Sequence, residues 1–289
     1  MSEGIRAGLK GSDALVIAIR RLRAAKVDAP QRDARKLLAW ALNVSTDRIA
    51  LALPDVLDAQ AADRYESAIV DRARRMPVSM ILGKREFFGR DFVVTKDVLD
   101  PRPETETLVE VALSAAFANV LDLGTGTGCI LLSLLAERPD ATGVGADISL
   151  SACTVAQENA ARLDLSGRVR IIQSNWYDLV EGAFDLIVAN PPYVTTEQMV
   201  ALAPEVRDWD PALALSVGDD GLTAYRSITG AVMQYLAEDG RLIAEIGPAQ
   251  AHAVTQLFER AGLQNVRVAT DLDGRDRVVI GHRIAHNNA

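Results

Sequence analysis

Val120-Leu121-Asp122-Leu123 runs straight into Gly124-Thr125-Gly126-Thr127-Gly128, and the helix-forming stretch Cys129-Ile130-Leu131-Leu132-Ser133-Leu134-Leu135-Ala136 follows at once. A buried strand, a glycine turn and a helix in immediate succession form the start of a nucleotide-binding α/β unit with a ligand over the strand's carboxyl end, or else a tight strand-to-helix connection with no ligand. Glycines in such a turn permit unusual backbone angles and close approach of a ligand. The spacing is G-x-G-x-G, so this is neither the G-x-G-x-x-G dinucleotide fingerprint nor a Walker loop with its lysine. Downstream, Thr142-Gly143-Val144-Gly145-Ala146-Asp147 reads as a second strand ending in a carboxylate. Asp147 lies about 20 residues past the glycines, the spacing of a ribose-hydroxyl acceptor. Its ordinary alternative is to cap the helix that begins near Leu150.

A second feature closes the apolar run Phe184-Asp185-Leu186-Ile187-Val188-Ala189, namely Asn190-Pro191-Pro192-Tyr193. The run is short enough for a buried strand, and proline, which cannot donate to a sheet ladder, must end it. Each proline also drives the residue before it out of the helical region. A stiff turn results, projecting Asn190 and Tyr193 beyond the strand. The Asn190 side-chain carbonyl and the Pro191 backbone carbonyl are two acceptors beside the aromatic face of Tyr193. They suit a flat group bearing NH2, a carboxamide or an exocyclic amine. Alone, the tetrapeptide is equally a strand-ending turn; with the glycine turn and Asp147 in this order it points to a site.

From residue 103 the pattern is a helix, then strands near 119–123, 143–147, 169–173, 185–189, 241–246, 265–270 and 276–281 alternating with helices. That alternation predicts a mostly parallel sheet covered on both faces, with the last two strands paired as a hairpin and one of them antiparallel. Ahead of it, residues 12–27, 30–43 and 58–76 carry helical patterns. In the first, Leu15, Ile17, Ala18, Ile19 and Leu22 form the apolar set, and Ser12 or Asp13 is a candidate cap. Between about 78 and 99, Phe87, Phe88, Phe92, Val93 and Val94 flank Gly89-Arg90-Asp91, the mark of a hairpin. The chain is therefore read as a helical bundle over 1–76, a hairpin linker over 77–100 and an α/β domain over 101–289.

The net charge of −8 is divided unevenly: 16 Lys/Arg against 11 Asp/Glu in residues 1–86, and 15 against 28 in the rest. An acidic α/β half argues against a sequence-independent grip on a nucleic-acid backbone. Cys129 and Cys153 are the sole cysteines, which offers no disulfide framework and fits a reducing cytosol. His252, His282 and His286 are scattered, so no metal site is expected. No apolar run reaches the roughly 18 residues of a membrane span, and Met1 through Lys10 has no apolar core of a secretory signal.

The order of glycine turn, Asp147 and Asn190-Pro191-Pro192-Tyr193 resembles the class I S-adenosylmethionine-dependent methyltransferases, whose Rossmann-like sheet has seven strands. More narrowly it resembles the HemK/PrmC family, which methylates the side-chain amide nitrogen of a glutamine in peptide chain release factors. The likeness extends over Ile81-Leu82-Gly83, Arg85-Glu86-Phe87-Phe88-Gly89, Pro101-Arg102-Pro103-Glu104-Thr105-Glu106, Asp210-Pro211-Ala212, Asp220-Gly221-Leu222, Glu245-Ile246-Gly247 and Gly274-Arg275-Asp276-Arg277. Asn175-Trp176 and Asp210-Pro211 depart from it, standing where the family more often has Asp-Trp and Glu-Pro.

The resemblance implies S-adenosyl-L-methionine as cofactor, bound by Gly124, Thr125, Gly126, Thr127, Gly128, Asp147, Trp176 and Asn190. It implies catalysis by Asn190, Pro191 and Tyr193, with Pro192 completing the substrate site, and places residues 102–106 near cofactor and substrate. Trp176 would stack on the adenine or else sit in the core, and Phe87 and Phe88 would be hairpin core or line the substrate entrance. Asp122 would orient the glycine turn by accepting backbone N–H groups. Cys129 needs no catalytic role, because methyl transfer from a sulfonium needs no protein nucleophile. The expected partners are release factors, met through the helical domain by a cytoplasmic monomer with no membrane attachment and no nucleic-acid substrate. The rival is N6-adenine methylation of DNA or RNA, which uses the same kind of turn but needs a flipped base and a positive groove.

Overall fold

The computed structural model describes residues 4–216 and 220–284, and the chain divides into two compact units. One holds the residues up to Gly83 together with Pro204–Trp209, and the other holds Lys84–Ala203 and the residues from Asp210 on.

The first unit is built on helices Gly11–Ala24, Pro30–Ala41 and Ala59–Ala73. Their apolar stripes meet in a core that includes Leu15, Leu22, Leu37, Leu38 and Ile69, with the Tyr65 hydroxyl donating to the Ala34 carbonyl at 3.0 Å. All three stop two or three residues short of the ends expected from periodicity. At each end a non-glycine residue turns left-handed (Lys26, Asn43 and Arg75, φ 56°, 54° and 72°). The next N–H then bonds back five residues, Val27 to Leu22, Val44 to Ala39 and Met76 to Asp71. This is the Schellman closure without the glycine that usually announces it. The expected cap is also corrected: neither Ser12 nor Asp13 caps the first helix, which starts at Gly11 after Lys10. The Gly11 and Ser12 N–H groups donate instead to the Asp55 and Leu53 carbonyls, so the chain itself satisfies that end. Asp58 does cap Ala59–Ala73, its Oδ1 accepting from Ala61 N–H at 2.7 Å. Asp58→Ala is expected to cost about 0.5–2 kcal/mol in urea unfolding, and an unchanged midpoint would mean that water replaces the cap.

The second unit opens with the hairpin β1 (Lys84–Phe87) and β2 (Arg90–Val93). Its two-residue turn is Phe88-Gly89, both at positive φ (48° and 72°), rather than Gly89-Arg90-Asp91. Residues 78–82, read as part of this hairpin segment, form a short helix that groups with the first unit. The sheet that follows has β3 (Asn119–Leu123), β4 (Thr142–Asp147), β5 (Val169–Gln173), β6 (Phe184–Ala189), β7 (Leu236–Glu245), β8 (Gln264–Thr270) and β9 (Asp276–His282). The order is β5-β4-β3-β6-β7-β9-β8, with β9 antiparallel to both neighbours.

Alternation along the central strands sends Val120, Leu186, Val188 and Ile243 to one face, against helices Glu106–Leu113 and Cys129–Glu137. Leu121, Leu123, Ile187 and Leu242 go to the other, against Thr223–Tyr235 and Ala251–Arg260. Strands buried on both faces read as continuous apolar runs, which is why they were legible. Gly143 is closely packed, since a Cβ there would sit 2.6 Å from Leu131 Cδ1 and 3.2 Å from the Val120 carbonyl, so a side chain would force its neighbours to shift.

Strand order reverses at β3, and register then sets the site. Leu123 is level with Ala146 of β4 and Ala189 of β6, and Ala189 is level with Ala244 of β7. One step further along these four strands stand Asp147, Gly124, Asn190 and Glu245. Residues spread over more than a hundred positions of sequence thus form one row at the carboxyl ends, where open α/β sheets take their ligands. Among the described residues no helix is long and apolar enough to cross a membrane.

Candidate active site

Gly124, Gly126 and Gly128, in the turn after β3, all have positive φ (75°, 55° and 79°), a conformation that glycine adopts at least cost. The Gly124 and Thr125 N–H groups donate to the Ala146 carbonyl at 2.8 and 3.0 Å. Asp122 holds the turn too, but through a side chain, its Oδ2 accepting from the Thr125 hydroxyl at 2.7 Å. Its Oδ1 is buried with no partner among the described residues, and burial pushes its carboxyl up to about 7.

Asp147 is not the helix cap, since Ser149 takes that place by accepting from Ala152 N–H. Asp147 Oδ2 accepts from Gly126 N–H and Oδ1 from Ser149 N–H, each at 2.9 Å. Each oxygen keeps a second lone pair for a further donor. Burial is the main influence on this carboxyl and raises its pKa.

A cavity in the second unit is lined by Gly124 through Thr127, Asp147, Trp176, Asn190 and Pro192, and also by Arg102 and Thr105. Trp176 is half-buried, in a left-handed conformation (φ 51°), and packs against the sheet core as well as facing the cavity. Gly128, Pro191 and Tyr193 are not among the lining residues. Pro191 is buried, and the Tyr193 ring lies by Gly247, where an added Cβ would be 3.2 Å from Tyr193 Cδ2. Phe87 and Phe88 are hairpin core, with Phe87 edge-on to Phe92. Burial pushes the Cys129 thiol up to about 12, leaving it inert.

Sequence reasoning missed what lies behind Asn190. Its Nδ2 donates to Thr105 Oγ1 at 3.1 Å, and the Thr105 hydroxyl donates to Glu245 Oε2 at 2.6 Å. Asn190 Oδ1 makes no hydrogen bond among the described residues and remains available. Arg102 donates to Asp210, tying the segment before the sheet to the one after the tetrapeptide, while burial pushes the Asp210 carboxyl up to about 6.

The arrangement fits a nucleoside-bearing cofactor. It offers a glycine turn open to close approach, a strand-end carboxylate with spare acceptor capacity, an indole face and an amide oxygen opening on one cavity. No group of three or more His, Cys, Asp or Glu side chains among the described residues could hold a metal ion; His286 lies outside them.

A family model described as a methyltransferase small domain matches residues 86–206, and one described as the PrmC N-terminal domain matches residues 13–83. A release factor glutamine methyltransferase from Cereibacter sphaeroides is 54% identical, over 94% of this chain and 98% of its own. One from Rhodospirillum rubrum is 44% identical, over 92% of this chain and 82% of its own. A methyltransferase structure from Pyrococcus furiosus shares the fold at 14% identity, with a TM-score of 0.53 over 69% of this chain and 91% of that one. Fold, site and family model together define a class I methyltransferase that uses S-adenosyl-L-methionine. Similarity along nearly the whole length goes further: the chain belongs to the release factor glutamine methyltransferase family.

Proposed function

We propose that the enzyme methylates the side-chain N5 of the glutamine in the Gly-Gly-Gln motif of peptide chain release factors, in the cytoplasm and as a monomer. The observation that carries the reading is Asn190, whose amide nitrogen is engaged by Thr105 so that its oxygen is left as an acceptor. A glutamine amide is a poor nucleophile because its lone pair is delocalised into the carbonyl. Accepting its two N–H bonds, on Asn190 Oδ1 and the Pro191 carbonyl, favours the positive charge that develops on nitrogen and aims the lone pair. Tyr193 flanks the amide, and burial pushes its phenol up to about 12, so it stays protonated. Bound S-adenosyl-L-methionine supplies an electrophilic methyl group on a sulfonium. Gly124 through Thr127 and Asp147 would hold its nucleoside end, and Trp176 would offer its indole face to the adenine. No side chain acts as base, since the alkylated nitrogen is acidic enough to lose its proton to water. The helical unit serves to meet the release factor.

The test is incubation with methyl-labelled cofactor and separate pools of release factor, DNA and RNA, followed by mass mapping. Label on the Gly-Gly-Gln glutamine is expected, and label on adenine alone would replace this reading with its rival. Asp147→Ala is expected to weaken cofactor binding by about 1.5–3 kcal/mol, the range for hydrogen bonds to a charged group. Calorimetric titration of a folded variant with unaltered affinity would remove Asp147 from the site.

A further inference from the structure

We propose that Glu245 is a positioning residue for methyl transfer, fixing which end of the Asn190 amide faces the substrate through the hydroxyl of Thr105. The proposal rests on the assignment of Asn190 as the substrate-amide acceptor.

An asparagine side chain presents an acceptor or a donor to its substrate depending on a 180° flip, and the two ends have nearly the same shape. Only its hydrogen-bond partners set the flip. Here the partner is Thr105 Oγ1, a group that can itself donate or accept. The ambiguity is resolved one step further back. Glu245 stands next to Asn190 in the row set by the β6–β7 register and is 1% exposed, with Oε2 2.6 Å from Thr105 Oγ1. An ionised carboxylate is acceptor-only, so the single Thr105 proton must go to it. Thr105 can then only accept from its other neighbour, which brings Asn190 Nδ2 to 3.1 Å and leaves Oδ1 for the substrate. The same carboxyl interacts with the Tyr193 hydroxyl, so both functional side chains of the tetrapeptide lean on one buried acid.

Protonation reverses the polarity of the chain. A neutral Glu245 can donate to Thr105, the Thr105 proton is freed to point at Asn190, and the amide is no longer held with its oxygen outward. Burial pushes the Glu245 carboxyl up to about 7, against the Thr105 hydroxyl, Arg277 and the Tyr193 hydroxyl, with Glu104 adding to the rise. The other ionisable groups that sense it, Cys129 and Tyr225, are raised and stay neutral near that pH. The order of the chain is therefore enforced above about pH 7 and no longer enforced below it.

The test is single-turnover methylation of a release factor by the wild type, Glu245→Gln, Thr105→Val and Thr105→Ser, each across pH 6 to 9, with cofactor affinity measured alongside. Turnover is expected to fall about tenfold or more in Glu245→Gln and Thr105→Val, the effect of losing one orienting hydrogen bond. Cofactor affinity should change much less than turnover, because neither residue holds the glycine turn or Asp147, although Thr105 lines the same cavity. Thr105→Ser, which keeps the hydroxyl, should recover most of the rate lost in Thr105→Val. The wild-type rate should rise with pH through about 7, and that step should vanish in Glu245→Gln. Thr105→Val turning over within twofold of wild type, or a pH step that survives in Glu245→Gln, would overturn the proposal. Should Glu245→Gln not fold, the Thr105 pair decides alone. A wild type that puts no methyl on release factor overturns the underlying assignment instead, a result no variant can imitate.

Discussion

Asn190→Ala is expected to lower turnover on a release factor about a hundredfold, the loss of roughly 3 kcal/mol from one preorganised polar contact at the reacting atom. The substrate amide would keep one of its two acceptors, the Pro191 carbonyl, and could rotate its nitrogen away from the methyl. Affinity for the intact release factor should change far less, because a single amide contact is a small part of a protein–protein surface. Asn190→Asp is the more informative change. It keeps an acceptor and adds a negative charge beside the sulfonium, which favours cofactor binding. It also discards the Nδ2 donor, so the introduced carboxylate and Glu245 must share the one proton of Thr105. Two buried acids that close do not both ionise readily, and part of the gain is lost. Single-turnover rates should rank wild type above aspartate and aspartate above alanine. Near-equal rates for all three would mean that Asn190 only shapes the turn.

The parts of this site that were legible lie at the ends of short apolar runs. The sheet strands β3 and β5 fall where the pattern put them, because Asp122-Leu123-Gly124 and its counterparts mark strand ends in local sequence. Asp147 was readable from its distance to the glycines, and Asn190 from the prolines behind it. Other features escaped for definite reasons. β7 begins at Leu236, five residues before the expected start, because its pairing with β6 jumps from Leu236 to Arg241 across an irregularity in which Asp239 turns left-handed (φ 60°), so that only the regular part reads as a strand. The helix ends at Lys26, Asn43 and Arg75 carry no glycine to mark them. Thr105 and Glu245 are 140 residues apart, one in the short turn Pro103–Thr105 and the other at the end of β7, and no local pattern in sequence reveals that they touch. Both were visible within family-like segments, but their partnership was not. The structure also separates members of the tetrapeptide that sequence grouped together: Asn190 and Pro192 open on the cavity, while Tyr193 does not line it and its hydroxyl interacts with Glu245.

A second cluster of this hidden kind carries the largest expected effect on stability. Arg72, 6% exposed, donates from Nε to Asp33 Oδ2 and from Nη2 to Glu205 Oε1, both at 2.9 Å, and from Nη1 to the Met76 carbonyl at 3.3 Å. Arg75 reaches the other oxygen of Glu205 at 2.6 Å. Glu205 belongs to Pro204–Trp209, the segment that groups with the helical unit although it lies more than a hundred residues further along the chain. Arg72→Met would fill much of the same volume but leave Asp33, 4% exposed, with the exposed Arg32 at 3.3 Å as its remaining ion-pair partner among the described residues. Removing one partner of a buried ion pair typically costs about 3–5 kcal/mol, because the remaining charge is neither solvated nor paired. Asp33→Leu combined with Arg72→Met should recover a large part of that cost, since apolar replacement of both partners removes the stranded charge. Burial pushes the Glu205 carboxyl up, and Arg75 and Arg72 outweigh it, so it titrates below its ordinary range. A depressed carboxyl contributes stability above its unfolded pKa and loses it as pH falls through the folded one. The gap between wild type and Arg72→Met in urea unfolding should therefore be widest near neutral pH and narrow as the medium is acidified below the carboxylate range. A gap of under about 1 kcal/mol at neutral pH, the value of an exposed pair, would mean that water reaches Asp33 and that the cluster does not hold the segment in place.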